Sequence, residues 1–314
     1  MGMKDGTPTS VEEYLEYRIR FSNWDRWGAG DQFGTLNHID HQITKHALNL
    51  VETGRTVSCA NPIATETMVP DLGRNDKPAD HHMSVSNTGA SDYIGIAYHG
   101  FVNTHIDSLC HFFTTSVDEN GRLYNDRDPA LITDQGALTN SVENWKNGIV
   151  TRGVLYDIPK LRNVEYVEFR DPVQGWELED WANSVNVKQR DGDVVLIRSG
   201  HDQYWDATGN AEPGHSLKTP GNAPSIIEYL YNTNAAILGW DLQEAAHKPV
   251  QYPAGYPIHQ LVIPYMGMPI LDNVNMEDLA STCAELGRYE FLIFIAPLVI
   301  QGGTGSPVNP IVVF

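Results

Sequence analysis

Three histidines and an aspartate lie within residues 99–111, whose sequence is His-Gly-Phe-Val-Asn-Thr-His-Ile-Asp-Ser-Leu-Cys-His. The alternating residues 93–98 before this stretch predict a β-strand. Because side chains at i and i+2 of a strand point to the same side, His105 and Asp107 would present an imidazole and a carboxylate to one point. Such a pair is typical of metal binding, although a hydrogen-bonded structural pair would have the same spacing.

The two outer histidines of this stretch lie further along the chain. His99 and His111 are each six residues from His105, which is roughly 20 Å along a straight strand. We therefore expect a turn after Asp107 that brings His111 back, and we expect His99 to stay outside the metal site. Cys110 would need a lowered pKa to act as a nucleophile, so we favour its interpretation as a small buried residue.

Length and composition indicate a globular protein. The chain has 314 residues, 41% of them hydrophobic, so it can form one large α/β domain or two smaller ones. A net charge of −19 argues against a general affinity for nucleic acid or anionic membranes. No apolar run reaches the length of a membrane span, and residues 1–6 lack the hydrophobic core of a signal peptide, so we expect a cytoplasmic protein.

The hydrophobic pattern favours an α/β fold. Short apolar runs bounded by turn residues predict buried strands at residues 153–158, 193–198, 235–240 and 291–295. Helical spacing predicts helices at residues 11–21, 40–52, 178–187, 224–231 and 276–287. Residues 62–90 are polar and irregular, which is typical of a lid or an oligomer arm. Without a convincing linker, we expect a single domain over residues 1–314 with an N-terminal helical extension over about residues 1–55.

Further metal ligands must come from elsewhere in the chain. A divalent ion needs three or four protein ligands, and a catalytic ion keeps one position open for water. The C-terminal half offers Asp202, Asp241, His247, His259 and Asp272. Each of these residues, taken alone, is also compatible with an ordinary structural role.

Aromatic side chains could line a pocket for a flat organic ligand. Trp24, Trp27 and Phe33 lie in a glycine-rich loop, and Tyr204 and Trp205 lie further along the chain. We expect at least one of the first two tryptophans to pack in the core instead.

These motifs resemble a known family. The sequence Thr-His-Ile-Asp at residues 104–107 followed by His111, together with Asp-Gln-Phe-Gly-Thr-Leu-Asn at 31–37 and Ser-Pro-Val-Asn-Pro at 306–310, resembles the cyclase-like metal-dependent hydrolases. That family includes bacterial kynurenine formamidase and isatin hydrolase. The resemblance implies a single domain of the swivelling β/β/α type, with mixed sheets and flanking helices, that assembles as a homodimer or homotetramer.

The chain departs from the family signature, His-x-Gly-Thr-His-x-Asp-x-Pro-x-His, at its first histidine. That histidine falls on Phe101, and the glycine and proline of the signature fall on Asn103 and Leu109. The chain therefore resembles single-metal members, unless His99 substitutes through a local rearrangement. The distal ligands of the family resemble His259 and Asp272, although Asp272 is a shorter acid than the family pattern has.

The resemblance implies a hydrolytic mechanism. Mn²⁺ or Zn²⁺ would be held by His105 and Asp107 with help from His259 or Asp272, and it would activate a water. His111, with a near-neutral pKa, would act first as general base and then as acid. The small-molecule substrate would be an amide, a cyclic amide or a lactone with a flat or aromatic body.

Two alternatives remain open. In a non-haem Fe²⁺ oxygenase, His105 and Asp107 would form a triad with His247 or His259. Oxoglutarate-using oxygenases, as a class, have an arginine shortly after the distal histidine. Neither His247 nor His259 is followed by an arginine at such a distance. In a non-catalytic binding protein, the same residues would hold a structural ion, and the loss of the first motif histidine keeps this interpretation open.

Overall fold

The computed structural model describes residues 7–65, 78–114, 121–208, 220–245, 250–253 and 255–314. The strands are β1 (Thr56–Ser58), β2 (Asp80–Val85), β3 (Ala90–Gly95), β4 (His105–Asp107), β5 (Ile132–Thr133), β6 (Gly136–Ala137), β7 (Ile149–Asp157), β8 (Val194–Arg198), β9 (Ile237–Trp240), β10 (Ile270–Asp272), β11 (Glu290–Ile295), β12 (Gly305–Pro307) and β13 (Ile311–Val313). The α-helices are α1 (Val11–Arg20), α2 (His41–Leu48), α3 (Ile158–Arg162), α4 (Gly175–Ser184), α5 (His201–Thr208), α6 (Ile226–Asn232), α7 (His259–Leu261) and α8 (Glu277–Leu286). A π-helical turn, Val262–Met266, follows α7 directly.

A nine-stranded mixed sheet forms the centre of the fold. Its strand order is β1-β13-β11-β7-β8-β9-β10-β4-β12, and the sheet curls into a half-barrel with flanking helices. Strands β7 to β10 run parallel to one another, whereas β4 is antiparallel to both of its neighbours, β10 and β12. The expected α/β class is therefore confirmed, while the swivelling β/β/α arrangement and the single domain over residues 1–314 stay predictions.

The central strands are buried along almost their whole length. Leu155 in β7, Leu196 in β8 and Leu238 in β9 have no exposed surface. Burial of each such side chain contributes about 1.5–3 kcal/mol relative to an exposed one. The apolar runs that predicted strands at 153–158, 193–198 and 235–240 thus form the middle of the core.

The glycine-containing segment at residues 31–37 anchors the chain beside α7. A Cβ on Gly34 would lie 1.8 Å from the carbonyl oxygen of Gly267, and Gly34 has a φ of +57°, so another residue would be strained there. Thr35 donates its backbone N–H to the same carbonyl oxygen at 2.8 Å. This contact holds the π-helical turn that follows α7.

Two sequence predictions need correction at the hairpin formed by β2 and β3. The strand predicted at residues 93–98 ends at Gly95, and β3 pairs with β2 in the exposed hairpin. Residues 62–90, expected to be irregular, contain β2 and the start of β3. The first prediction is correct only for residues 93–95 and the second is wrong, because the partner strand lies in a polar segment without an apolar run.

The helices agree more closely with the sequence. Asp40 caps α2 by accepting the backbone N–H groups of Gln42 and Ile43, both at 2.8 Å. The helix ends at Leu48, before the predicted end at residue 52. No helix in the described ranges is both long and apolar enough to cross a membrane.

Candidate metal centre

Strand β4 places two of the predicted ligands on one side of the sheet. His105 and Asp107 are both buried on this three-residue strand. Across the neighbouring strand, His105 lies directly opposite Asp272, and opposite residues of an antiparallel pair share a face. The predicted common orientation of His105 and Asp107 is confirmed by their contact, with His105 Nε2 3.4 Å from Asp107 Oδ1.

Asp107 lies among four imidazoles. Its Oδ1 is 2.9 Å from His99 Nδ1 and 3.4 Å from His105 Nε2. Its Oδ2 is 3.7 Å from His111 Nε2 and 3.8 Å from His259 Nε2. None of these contacts has hydrogen-bond geometry, so within the described ranges both buried carboxylate oxygens lack a donor. A buried carboxylate without hydrogen bonds is costly unless a cation or water satisfies it, which fits a metal ligand.

The turn expected after Asp107 is present. His111 donates its backbone N–H to the carbonyl oxygen of Ser108 at 3.1 Å. This turn brings the His111 side chain back to Asp107, as predicted.

The expectation that His99 lies far from His105 is wrong, because their ring centroids are 5.2 Å apart. The His99 ring stacks on the His111 ring with centroids 3.7 Å apart and an interplanar angle of 5°, and His99 Nε2 lies 2.9 Å from Thr304 Oγ1. The straight-strand estimate failed because β3 ends at Gly95 and residues 96–104 loop back. His99, and not Phe101, therefore supplies an imidazole beside Asp107.

The distal side of the site is built by α7 and β10. His259 Nε2 lies 3.2 Å from Asp272 Oδ2, and His105 Nε2 lies 3.7 Å from the same oxygen. Trp240 donates its indole N–H to Asp272 Oδ1, and Gln243 donates to Asp272 Oδ2 at 2.9 Å. Both sequence-predicted distal residues thus reach the cluster, and the shorter carboxylate is fixed there by two donors.

Two overlapping groups have the spacing of a metal site. In the group His99, Asp107 and His111, and in the group His105, Asp107 and Asp272, the ligand atoms all lie within 4.8 Å of one another. Imidazole nitrogen and carboxylate oxygen suit Zn²⁺, and they suit other divalent ions such as Mn²⁺. The residues present therefore fit a divalent ion, and Asp107 is common to both groups.

Neighbouring charges decide the protonation of the buried histidines. Burial opposes a charge on His105, but the nearby negative carboxylates of Asp107 and Asp272 raise its pKa to about 8. Burial also opposes a charge on His259, yet Glu244 and Asp272 hold its pKa well above the usual value. In Asp107, burial is outweighed by the surrounding imidazoles, which hold its pKa well below the usual range.

His111 behaves differently. Burial, together with the neighbouring imidazoles, lowers the pKa of His111 to about 3, even though Asp107 acts in the opposite direction. This value corrects the near-neutral pKa expected from the sequence. The lowered pKa leaves the imidazole unprotonated at physiological pH, and it also makes the ring a weaker base than an unperturbed histidine.

The remaining distal candidates lie elsewhere or outside the described residues. Asp241 accepts hydrogen bonds from the backbone N–H groups of residues 199–201 at 2.8–3.1 Å. Asp202 Oδ1 lies 2.8 Å from His201 Nδ1. Both carboxylates therefore make contacts at the start of α5. His247 falls outside the described residues.

The predicted aromatic residues of the N-terminal loop have other ring partners. Trp24 stacks on Tyr265 with ring centroids 5.6 Å apart. Trp27 packs edge-on against His38 at 5.2 Å, and Phe33 is largely exposed. The expectation that one tryptophan packs against the core is confirmed for Trp24, which lies against the main hydrophobic cluster.

The other two predicted aromatic residues lie on α5. Tyr204 packs edge-on against Tyr166 with centroids 5.6 Å apart, and Trp205 packs against His201 at the same separation. Contact with a substrate stays a prediction for all five aromatic residues.

Different aromatic rings line the imidazole cluster. Phe112 lies 4.8 Å from the ring of His111 and 5.0 Å from that of His259. Tyr98 lies 4.6 Å from the ring of His99, and Tyr256 lies 5.8 Å from that of His259. Sequence reasoning missed these rings, although Tyr98 and Phe112 directly flank the histidine-rich stretch, which was a usable signal.

Glu244 and Gln243 were also missed. Glu244 Oε1 lies 2.8 Å from His259 Nδ1, and Gln243 holds Asp272. Both residues follow the buried strand β9 closely. Polar residues after a buried parallel strand commonly reach the ligand-binding edge of a sheet, and this position was the signal that could have found them.

The chain belongs to the family described as "Putative cyclase", because the model of that family matches residues 34–247, more than half of the chain. This finding confirms the family resemblance inferred from the motifs. No curated protein sequence matches the chain significantly.

Solved structures with the same fold include cyclases and hydrolases. A structure described as a novel cyclase has a TM-score of 0.81 and 27% sequence identity, over 95% of this chain and 99% of that one. Isatin hydrolase A from Labrenzia aggregata, bound to benzyl benzoate, has a TM-score of 0.57 and 18% identity, over 86% and 96% of the two chains. A predicted metal-dependent hydrolase from Bacillus stearothermophilus has a TM-score of 0.50 and 15% identity, over 82% and 97%. At these identities, the two hydrolases show a shared fold alone.

Proposed function

We propose that the protein is a divalent-metal-dependent hydrolase that opens an amide, cyclic amide or lactone bond in a small, flat substrate. The observation that carries this proposal is Asp107, whose two buried oxygens lack a hydrogen-bond donor among the described residues and face the nitrogens of four imidazoles. The fold shared with isatin hydrolase and with a predicted metal-dependent hydrolase supports the reaction class.

The ion, Mn²⁺ or Zn²⁺, would be held by His105, Asp107, His259 and Asp272. When bound, such an ion lowers the pKa of a coordinated water to about 7 and polarises a carbonyl group. The carbonyl oxygen of Asn103, 2.8 Å from His105 Nδ1, accepts that N–H and leaves Nε2 free as a ligand. The chain thus fixes the tautomer that metal binding requires.

His111 would move the proton. Its Nε2 faces Asp107, and its side chain is about a quarter exposed, at 24%, so it can contact both the site and an entering substrate. As a neutral imidazole, it would accept a proton from the attacking water and then deliver it to the leaving nitrogen or oxygen. The stacked ring of His99, held by Thr304, keeps His111 in place.

The walls of the site favour a flat substrate. Phe112, Tyr98 and Tyr256 surround the imidazoles with aromatic surface, and aromatic rings pack well against a planar ligand. We propose that Trp24, Trp27, Phe33, Tyr204 and Trp205 contribute only to more distant parts of the binding surface.

Proton release tests this proposal without a known substrate, because hydrolysis of a lactone or of an amide of an aromatic amine yields an acid whose proton the leaving group does not take up, and the cyclic amides are therefore chosen among those of aromatic amines. Metal-stripped protein, with Mn²⁺ or Zn²⁺ added back, is mixed in weak buffer with aryl formamides, cyclic amides and lactones, and a pH indicator follows the reaction. We expect metal-dependent acid production that is abolished by His105→Ala. The matched control is His82→Ala, which removes an exposed histidine of the β2–β3 hairpin and should leave the rate unchanged.

Two results would contradict the proposal. The first is acid production that persists in the His105→Ala variant or without added metal. The second is the absence of acid production by the wild-type protein with every compound of the panel and with both ions. In that second case, oxygen consumption with Fe²⁺ would support the oxygenase alternative instead.

A further inference from the structure

Two buried imidazoles of the site are oriented in the same way by partners of different charge. His105 donates its Nδ1–H to the backbone carbonyl oxygen of Asn103 at 2.8 Å. His259 donates its Nδ1–H to the carboxylate of Glu244, also at 2.8 Å. Both rings then present Nε2 to Asp107. The partner of His105 is neutral, whereas the partner of His259 is an acid.

Glu244 is built into the segment that carries His259. Its Oε1 accepts the backbone N–H of Ile258 at 3.1 Å, the backbone N–H of His259 at 2.9 Å and the ring N–H of His259. The side chain is buried, at 4% exposure. Because α7 has only three residues, these three hydrogen bonds fix both the backbone and the ring of His259.

We propose that Glu244 is a positioning residue of the metal centre, which aims His259 Nε2 at the ion and strengthens it as a ligand through its negative charge. A carboxylate behind a metal-binding imidazole raises its basicity, and loss of such a partner typically weakens metal binding by about 10–100-fold. The inference rests on the proposed function only in that His259 is taken as a ligand.

A purely structural role for Glu244 would predict a different behaviour. If the acid only satisfied the backbone at residues 258–259, a glutamine would serve equally well, since its amide oxygen can accept the same three donors. The second oxygen of Glu244, Oε2, has no partner in the described ranges, so an amide nitrogen in its place breaks no hydrogen bond there. Both Glu244 and Asn222 line a cavity of about 210 Å³, and the Asn222 side-chain oxygen, which has no partner in the described part of the chain, is a candidate acceptor for that amide.

The test is a Co²⁺ titration of the metal-stripped Glu244→Gln variant, followed by visible absorption, with near-ultraviolet circular dichroism to verify folding. We expect binding to weaken by about 10–100-fold and the absorption bands to shift, while the folded signal is retained. The matched control is Asp241→Asn, which neutralises another buried carboxylate that accepts backbone N–H groups. This variant should bind Co²⁺ with the wild-type affinity and spectrum.

Three outcomes would overturn the inference. Wild-type affinity and spectrum in Glu244→Gln would reduce Glu244 to a structural role. An equal loss in Glu244→Gln and Asp241→Asn would indicate general destabilisation. If the wild-type protein bound no Co²⁺, the assignment of the metal centre would be wrong, and so would the proposed function. If the wild-type protein bound Co²⁺ but hydrolysed no substrate, only the proposed function would be wrong. The comparison of Co²⁺ binding by Glu244→Gln and by the wild-type protein would still decide the role of Glu244.

Discussion

The two sides of the histidine cluster differ in how their rings are held. On the buried side, His105 and His259 are almost fully enclosed, at 1% and 3% exposure, and each has an acceptor for its Nδ1–H. On the open side, the rings of His99 and His111 stack on each other and are about a quarter exposed. Fixed, enclosed rings suit ion binding, and accessible rings suit contact with a substrate.

The electrostatic surroundings follow the same division. Carboxylates flank His105 and raise its pKa to about 8, although burial acts against this. Burial and neighbouring imidazoles lower the pKa of His111 to about 3. Two histidines from one short sequence stretch therefore have opposite tendencies to hold a proton. The difference teaches that the roles of these residues depend on the carboxylates placed around them by distant strands.

The largest effect is expected for Asp107→Asn, because Asp107 contacts the rings on both sides. The amide keeps the shape of the side chain but loses the charge that a divalent ion requires. We expect metal affinity to fall by at least about 100-fold and hydrolysis to fall to background. Equilibrium dialysis against Zn²⁺ with elemental analysis measures the first effect. A variant that still holds one tightly bound ion would break the account of Asp107 as the shared ligand.

The His111→Gln variant should distinguish proton transfer on the open side of the cluster from metal binding on the buried side. We expect it to retain the bound metal, while kcat falls by about 10²–10⁴-fold, the usual contribution of a general acid–base group. The comparison variant is His99→Gln, which removes the stacked ring and should cost less because it leaves the proton carrier in place. If His111→Gln lost metal as completely as Asp107→Asn, the proposed division between ligands and proton carrier would be wrong.

Metal affinity should rise with pH. In the metal-free protein, the pKa of His105 is raised to about 8 and that of His259 lies well above its usual value. Both imidazoles therefore hold an extra proton at pH 7, and ion binding must displace it. The apparent affinity for Co²⁺ should increase from pH 6 to about pH 8, with proton release into a weak buffer. An affinity that is constant across this range would contradict the assigned ligands.

The smallest effect is expected for Cys110→Ala. Burial raises the pKa of the Cys110 thiol to about 11, and the sulfur lies 3.1 Å from Ser108 Oγ, so the thiol is not a poised nucleophile. We expect the rate to stay within about twofold and the free energy of unfolding to fall by about 1 kcal/mol. Progress curves and denaturant titrations measure both quantities, and a complete loss of activity in a folded variant would point to a nucleophilic thiol instead.

Local sequence signals were sufficient to identify the candidate ligands on β4 and the central strands. His105 and Asp107 could be paired because the two-residue period of a strand holds whatever its neighbours are. The strands β7, β8 and β9 were recognisable because parallel strands buried on both faces form continuous apolar runs. Such features depend on a few consecutive residues.

The rest of the site depends on contacts between distant segments. His99 reaches Asp107 because the loop before β4 is held at Gly100, whose carbonyl oxygen accepts hydrogen bonds from Gln243 and Asn273. Glu244, which follows β9, reaches His259 on α7 through hydrogen bonds from the backbone N–H groups of residues 258–259 and from the imidazole ring. Neither the strand order nor these long-range hydrogen bonds can be obtained from residue spacing. The buried candidate ligands could therefore be identified from the sequence, whereas the residues that orient them could not.

The most direct test of the metal centre is anomalous X-ray diffraction from crystals of the protein loaded with Zn²⁺ or Mn²⁺, recorded on either side of the absorption edge of the ion. We expect an anomalous peak about 2.0–2.2 Å from a carboxylate oxygen of Asp107 and from Nε2 of His105 and His259. A peak remote from Asp107, or no peak at a saturating concentration of either ion, would contradict the assignment of this cluster as a divalent metal site.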